Sequence, residues 1–499
     1  MLQLCVCVCE DARADMIAAL LVSPAATAPP DAVQRVNRTY TGLNTYYYNT
    51  TGRHWNCCGQ TGGAGGASTF GCACTAPDGH NCLNCLRWWH AEGLNAMIVF
   101  TTAFPWLLDM REHTAELADT LAQLSPYNVG FARTMPWVYV DDYGWYVLSF
   151  LRAYELLGDD KYLSEARETF DFLWSIGWDA QCSGFYWEVT GPGGKDDATV
   201  QAVQPLPRRR AAAKPEFAMQ KNAVTNLEML QAAARLHLIT GEAAYLEKAK
   251  LVWGWFTSSP LLGADGLIGD ALSGDASVQC DCCNGTSGEP GKPKCVRMRV
   301  DSTGAPSHVW SYDQGMFIGA AALLYRATND SAYAEAGLRT VHAVLSHLTT
   351  SDGVLREDLR TPGHTPAGPP PCTESNDPGG DFYSFKGVTV LQLADFAASV
   401  PLNASDAGAI RELLATSSDS AWSTRATPPW ASAPTDVCAD PAFAHWLSGP
   451  PKFPYYWAAG TDSVGRRVND DAAPRICQDA RTQISALSLF VAHAVTASR

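Results

Sequence analysis

Asp141 and Asp142 are consecutive carboxylates in the run Trp137-Val-Tyr-Val-Asp-Asp-Tyr-Gly-Trp-Tyr146, which supplies five aromatic rings around them. Two like charges held this close in poorly hydrated surroundings have split proton affinities, so one carboxyl serves as an acid while its neighbour stays ionised. A proton donor beside a nucleophile, walled by rings, suits a sugar, which offers apolar faces and hydroxyl edges. The pair therefore points to cleavage of a glycosidic bond. A plainer role fits the same residues. An Asp N-cap followed by a first-turn carboxylate stabilises a helix start without catalysis.

The element that must position the pair is a helix. Val138 to Leu157 is apolar on nearly every face, as expected for a helix surrounded by others. The helix after it is one-sided, with Leu163, Ala166, Phe170, Leu173 and Trp174 on one stripe and Glu165, Arg167 and Glu168 outside it. This alternation recurs. Turns at Leu157-Gly-Asp-Asp-Lys-Tyr162, Thr240-Gly-Glu-Ala-Ala-Tyr245 and Thr328-Asn-Asp-Ser-Ala-Tyr333 return at intervals of roughly 85 residues. The loops Asp265-Gly-Leu-Ile-Gly-Asp270 and Asp352-Gly-Val-Leu-Arg-Glu357 also match each other. Hairpins are expected near 86–125, 138–176, 218–258, 310–348, 381–424 and 440–498. Six of them close an all-α (α/α)6 toroid, with the aspartates at the entrance of an inner helix.

Composition sets limits on partners. A chain of 499 residues with 46% hydrophobic and 17% charged residues has a large core. Its net charge of −15 argues against nucleic acid or an anionic membrane. No run is long and apolar enough to span a bilayer, and Ile484–Val495 reads as an amphipathic terminal helix. The 17 Cys and the sequons at Asn37, Asn49, Asn284, Asn329 and Asn403 favour secretion, disulfides and glycosylation. Residues 1–28 read as a signal segment behind a misplaced start, and 29–499 as a single domain, expected to be a monomer. Two insertions interrupt it. One spans 56–85 and is read as a disulfide-stapled loop in preference to a zinc site, and the other spans 191–214.

Several segments, in order, resemble motifs of glycoside hydrolase family 76. They are Tyr46-Tyr-Tyr-Asn-Thr-Thr-Gly-Arg-His-Trp55, Trp88-Trp-His-Ala-Glu-Gly-Leu-Asn95, Val140-Asp-Asp-Tyr-Gly-Trp145 and Lys221-Asn-Ala-Val-Thr-Asn226, followed by Asp265–Asp270, Trp310-Ser-Tyr-Asp-Gln-Gly315 and Phe385-Lys-Gly387. The family comprises endo-α-1,6-mannanases and related fungal wall proteins. The resemblance implies an (α/α)6 barrel, a retaining mechanism on α-mannan, and no cofactor or metal. It places the nucleophile at Asp141 and the general acid/base at Asp142. Asn222, Asp270, Tyr312, Asp313 and Gln314 fall at loops or helix entrances on the side of the aspartates, where they can bind sugar hydroxyls or simply cap and brace. Asp313 stands where the family has Asn. Trp88, Trp89, Tyr143 and Trp187 can stack on sugars or pack in the core, Phe385 and Lys386 can reach substrate, and His90 is expected to be a core residue. A transglycosylase shares every catalytic residue and is the first alternative. A non-catalytic glycan-binding wall protein is the second. An epimerase lacks the His pair it would need, and a uronyl hydrolase the basic pocket.

Overall fold

The computed structural model describes residues 30–49, 54–55, 87–125, 127–180, 183–191, 220–274, 296–298, 309–357, 384–425, 453, 457, 460–461, 467–468 and 480–498. The expected signal segment, both insertions apart from Gly191, and all 17 cysteines lie outside these residues.

The helices of the described residues sort into two rings. The inner ring consists of α2 (Trp88–Ala103), α5 (Val140–Leu157), α7 (Ala223–Thr240), α9 (Ser311–Thr328), α11 (Phe385–Ser399) and α13 (Ala480–Ala497). Each packs on the next, and α13 packs back on α2, so the ring is closed. The outer layer consists of α1 (Pro30–Tyr47), α3 (Leu108–Leu124), α6 (Asp160–Gly177), α8 (Ala243–Ser258), α10 (Ser331–His347) and α12 (Ala404–Thr424), with a one-turn α4 at Val129–Ala132. This is the (α/α)6 barrel that the alternation of all-apolar and one-sided helices implies. Every residue of α7 from Ala223 to Leu236 is buried, whereas α6 buries only the stripe Tyr162, Ala166, Thr169, Phe170, Leu173 and Gly177.

One pair differs from the sequential hairpins. Among the described residues the expected hairpin at 440–498 supplies an inner helix, α13, and the outer helix packed on it is α1 from the other end of the chain. Gln483 of α13 donates to the carbonyl of Thr39 at 3.0 Å, and Arg35 of α1 bonds Ser418 and Asp419 of α12. The apolar face of α1 (Ala32, Val36, Tyr40, Leu43) needs a partner, and the open place in the ring provides one.

Connections at the two ends of the barrel differ. At the C-terminal ends of the inner helices the turns are tight. Gly158, Gly241 and Asn329 take left-handed conformations that terminate α5, α7 and α9. Asp159 and Asp330 then cap α6 and α10. Ion pairs of Arg152 with Asp395 and Arg235 with Glu155 lie toward this end. At the opposite end, longer loops lead from each outer helix to the next inner one. Three of them close with the same bridge: Trp178 to Phe185, Leu262 to Ile268 and Thr349 to Leu355. Small antiparallel sheets pin two helix entrances. Trp137–Tyr139 (β1) pairs with Glu188–Thr190 (β2) before α5, and Lys221–Asn222 (β3) pairs with Ala271–Gly274 (β4) before α7.

The inner ring is tight because small residues face backbone. A Cβ on Gly315 of α9 would lie 2.6 Å from the Cα of Thr389 in α11, and one on Gly387 would lie 2.8 Å from the Cα of Ser485 in α13. These approaches bring consecutive inner helices together at the end where the loops are long.

Candidate active site

The ring gathers the first turns of its helices at one mouth. Asp141 and Asp142 occupy the first turn of α5, after an N-cap at Tyr139 that makes no side-chain capping bond. Neither aspartate is therefore the cap. Both oxygens of Asp141 are held: Oδ1 accepts the backbone N–H of Asp142 at 2.9 Å, and Oδ2 accepts the indole N–H of Trp187 at 2.8 Å. The strand pairing and the bond from Val140 N–H to the Trp187 carbonyl (2.8 Å) place this indole. Helix N-terminal position suits negative charge, because unpaired amides concentrate positive potential there.

Aromatic rings form a continuous line beside the pair. Trp88 of α2 stacks on Trp145 of α5 at 5.1 Å and meets Phe385 of α11 at 6.0 Å. Phe385 lies parallel on Tyr312 of α9 at 3.7 Å, with Trp310 edge-on at 5.3 Å. All but Trp310 in this line are buried, so they form a floor rather than a free-standing wall. Trp89 is buried and stacks on His90, which is a core residue as expected. Tyr143 is buried edge-on to Tyr127, and burial together with the charge of Asp142 raises the proton affinity of both phenols.

The polar candidates divide by what their side chains already do. Asn222 caps α7, accepting from Thr225 N–H at 3.3 Å. Gln314 is a clamp: its carbonyl accepts from Ile268 N–H, and its amide donates to the carbonyls of Ile268 and Trp310. Lys221 is buried in an ion pair with Asp179 at 2.7 Å and faces the Tyr186 ring. Asp270 lies beside Asp313 and Tyr312, and its carbonyl accepts Ala223 N–H at 2.6 Å. Lys386 is buried over the Trp457 ring at 4.9 Å. Burial pushes its amine down to about 8, and Glu357 opposes that shift. From the sequence Lys386 could equally pair with Asp381, which lies outside the described residues.

Asp313 is fully buried, and neither oxygen has a hydrogen-bond partner among the described residues. Burial, then the charges of Asp270 and Glu357, hold its proton well above the carboxylate range. Two further acids were not singled out from the sequence. Glu92 of α2 is bonded by Asn95 at 2.7 Å and pushed up to about 7 by burial, and Glu228 of α7 faces the aspartates. The available signal is a lone charge inside an otherwise apolar stretch, as at Leu227-Glu-Met229. Among the described residues no group of three or more His, Cys, Asp or Glu is arranged to hold a metal ion.

Residues 216–433 match the model of Glycosyl hydrolase family 76. The matched stretch is less than half of the chain. Other similar proteins point the same way. A Schizosaccharomyces pombe protein, provisionally named a mannan endo-1,6-α-mannosidase, is 25% identical over 169 residues, covering 34% of this chain and 30% of that protein. The α-1,6-mannanase GH76A of Salegentibacter sp. HEL1_6 superposes with a TM-score of 0.56 at 18% identity, covering 93% of this chain and 98% of that one. That structure is an inactive variant, two consecutive aspartates replaced by asparagine, in complex with α-1,6-mannotriose. A family 76 mannosidase of Bacteroides thetaiotaomicron gives 0.54 at 15% identity over 93% and 98%. At these identities the family 76 likeness to solved structures is one of fold.

Proposed function

We propose that this family 76 protein is a retaining glycoside hydrolase that cleaves α-1,6-mannosidic bonds in mannan. The observation that carries the reading is the Asp141–Asp142 pair at the mouth of an inner helix, with Trp187 bonded to Asp141 and an aromatic floor beside it. Support comes from the fold neighbour inactivated by replacing two consecutive aspartates and found with α-1,6-mannotriose. In this reading Asp141, oriented by two donors, attacks the anomeric carbon and forms a glycosyl ester. Asp142 gives its proton to the departing oxygen, then takes one from the water that hydrolyses the ester. Such a double displacement needs carboxyls about 5–5.5 Å apart around one sugar. The sequons add a secretory reading, since Asn37, Asn329 and Asn403 are all exposed.

The test is product analysis on linear α-1,6-mannan with wild type and Asp141→Asn. Wild type is expected to release oligosaccharides whose first-formed anomer is α, and the variant to release none. An unchanged variant would remove Asp141 from the mechanism. Transfer to sugar acceptors in preference to water would make the enzyme a transglycosylase.

A further inference from the structure

Glu228 lies in the second turn of α7, enclosed on every side, and neither carboxyl oxygen has a hydrogen-bond partner among the described residues. Its side chain fills the notch left by Gly144 of α5, where even a methyl group would overlap the carboxyl. Gly144 follows Asp142 by two residues, so Glu228 presses on the turn that carries the aspartates. The carboxyls facing it are Asp141 and Asp142 from α5, Glu92 from α2 and Asp313 from α9, and the Tyr312 phenol of α9 also feels its charge. All are acidic. A carboxylate in such an enclosure has neither counter-ion nor donor, so the space accommodates the undissociated acid. Burial, reinforced by these four carboxyls, holds its proton well above the usual range.

We propose that Glu228 is a positioning residue for the Asp141–Asp142 site, an acid packed beneath the pair whose ionisation disables it. The proposal rests on the reading of those aspartates as the catalytic pair. While Glu228 keeps its proton it adds no charge to the site, and α5 sits flush on α7. Loss of that proton puts another negative charge against the pair, with no counter-ion hydrogen-bonded to it among the described residues. Repulsion then drives the side chain from the Gly144 notch and disturbs the first turn of α5. A residue that only filled space would be replaceable by its amide with the same result at every pH.

The experiment measures kcat/KM on linear α-1,6-mannan across pH for wild type, Glu228→Gln and Asp141→Asn. The ratio of kcat/KM at about pH 8 to that at about pH 5 is expected to be about threefold or more higher in Glu228→Gln than in wild type, because an amide does not ionise. Superimposable profiles overturn the proposal. Glu228→Leu carries the same expectation should the Gln variant not fold, and if neither folds Glu228 is a packing residue and the proposal fails. Asp141→Asn separates the two readings. If it cleaves like wild type, the catalytic pair falls. If it is inactive while Glu228→Gln keeps the wild-type profile, only the role of Glu228 falls.

Discussion

Trp187 donates its indole N–H to Asp141 at 2.8 Å, and that bond fixes which way the carboxyl faces. A hydrogen bond to a charged group contributes about 1.5–3 kcal/mol, so Trp187→Phe, which keeps the ring and removes the donor, is expected to lower kcat about tenfold or more. KM should move little, because in the proposed mechanism the bond orients the nucleophile rather than the substrate, and steady-state kinetics separates the two. Gln314 gives the opposite expectation. Its amide satisfies both backbone groups of Ile268, so Gln314→Ala leaves buried polar groups unpaired and should cost roughly 2 kcal/mol of stability, read by denaturant unfolding. At this scale the sequence was informative where residue types cluster. The Asp pair and its rings announced themselves. Glu228 did not, because its significance lies in the absent side chain of Gly144, 84 residues away in the chain and adjacent only once α5 and α7 pack.

The repeated turns were the most legible elements, and their chemistry explains why. Gly158 and Gly241, at φ of 74° and 77°, end inner helices, and Asp159 and Asp330 restart outer ones. Each motif acts within a few residues, so its signal is local. Gly241→Ala forces a side chain into a left-handed conformation and Asp330→Ala removes a cap; each is expected to cost about 1 kcal/mol, measurable as a lower unfolding midpoint. Gly315 serves a different purpose. A methyl there would lie 2.6 Å from the Thr389 backbone, so Gly315→Ala should cost about 1–3 kcal/mol through overpacking. It should also lower activity, since the same turn of α9 carries Tyr312 of the aromatic floor. The pairing of α1 with α13 left no such local trace. Helix α1 is amphipathic, as a one-sided outer helix should be. Helix α13, read from the sequence as amphipathic, is buried on nearly every face because it closes the inner ring. Nothing within either says that its neighbour lies at the far end of the chain.

Across the whole molecule, the buried acids make folding a proton-binding reaction. Glu92, Glu228 and Asp313 each hold a proton more tightly folded than unfolded, and burial is the first cause in every case. The unfolded chain loses those protons near the ordinary carboxylate range while the barrel keeps them. Stability is therefore full below that range and declines as pH rises, for Glu92 between about 4.5 and about 7. Each such group adds a slope of about 1.4 kcal/mol per pH unit inside its window. Asp395 has the opposite sign. Arg152 holds its carboxyl below the usual value, so its contribution is lost only as pH falls through that lower range. Thermal unfolding followed by circular dichroism should show the midpoint falling from mildly acidic to neutral pH, and a flat response over that interval would refute the assignment of these three acids as neutral.

The meeting of α1 and α13 also governs how the barrel comes into being. Of the described helices a ribosome releases α1 before the rest and α13 after them, and α13 contacts α1, α2 and α11. Until it emerges, the nascent chain is an open horseshoe whose apolar edges on α1, α2 and α11 have no cover. The mouth cannot be complete in that state, and such edges invite association with other chains. A chain stopped short of residue 480 should therefore accumulate as aggregate with no trace of activity, whereas joining Pro30 to Ser498 by a short linker and cutting at an outer turn should leave a protein that folds.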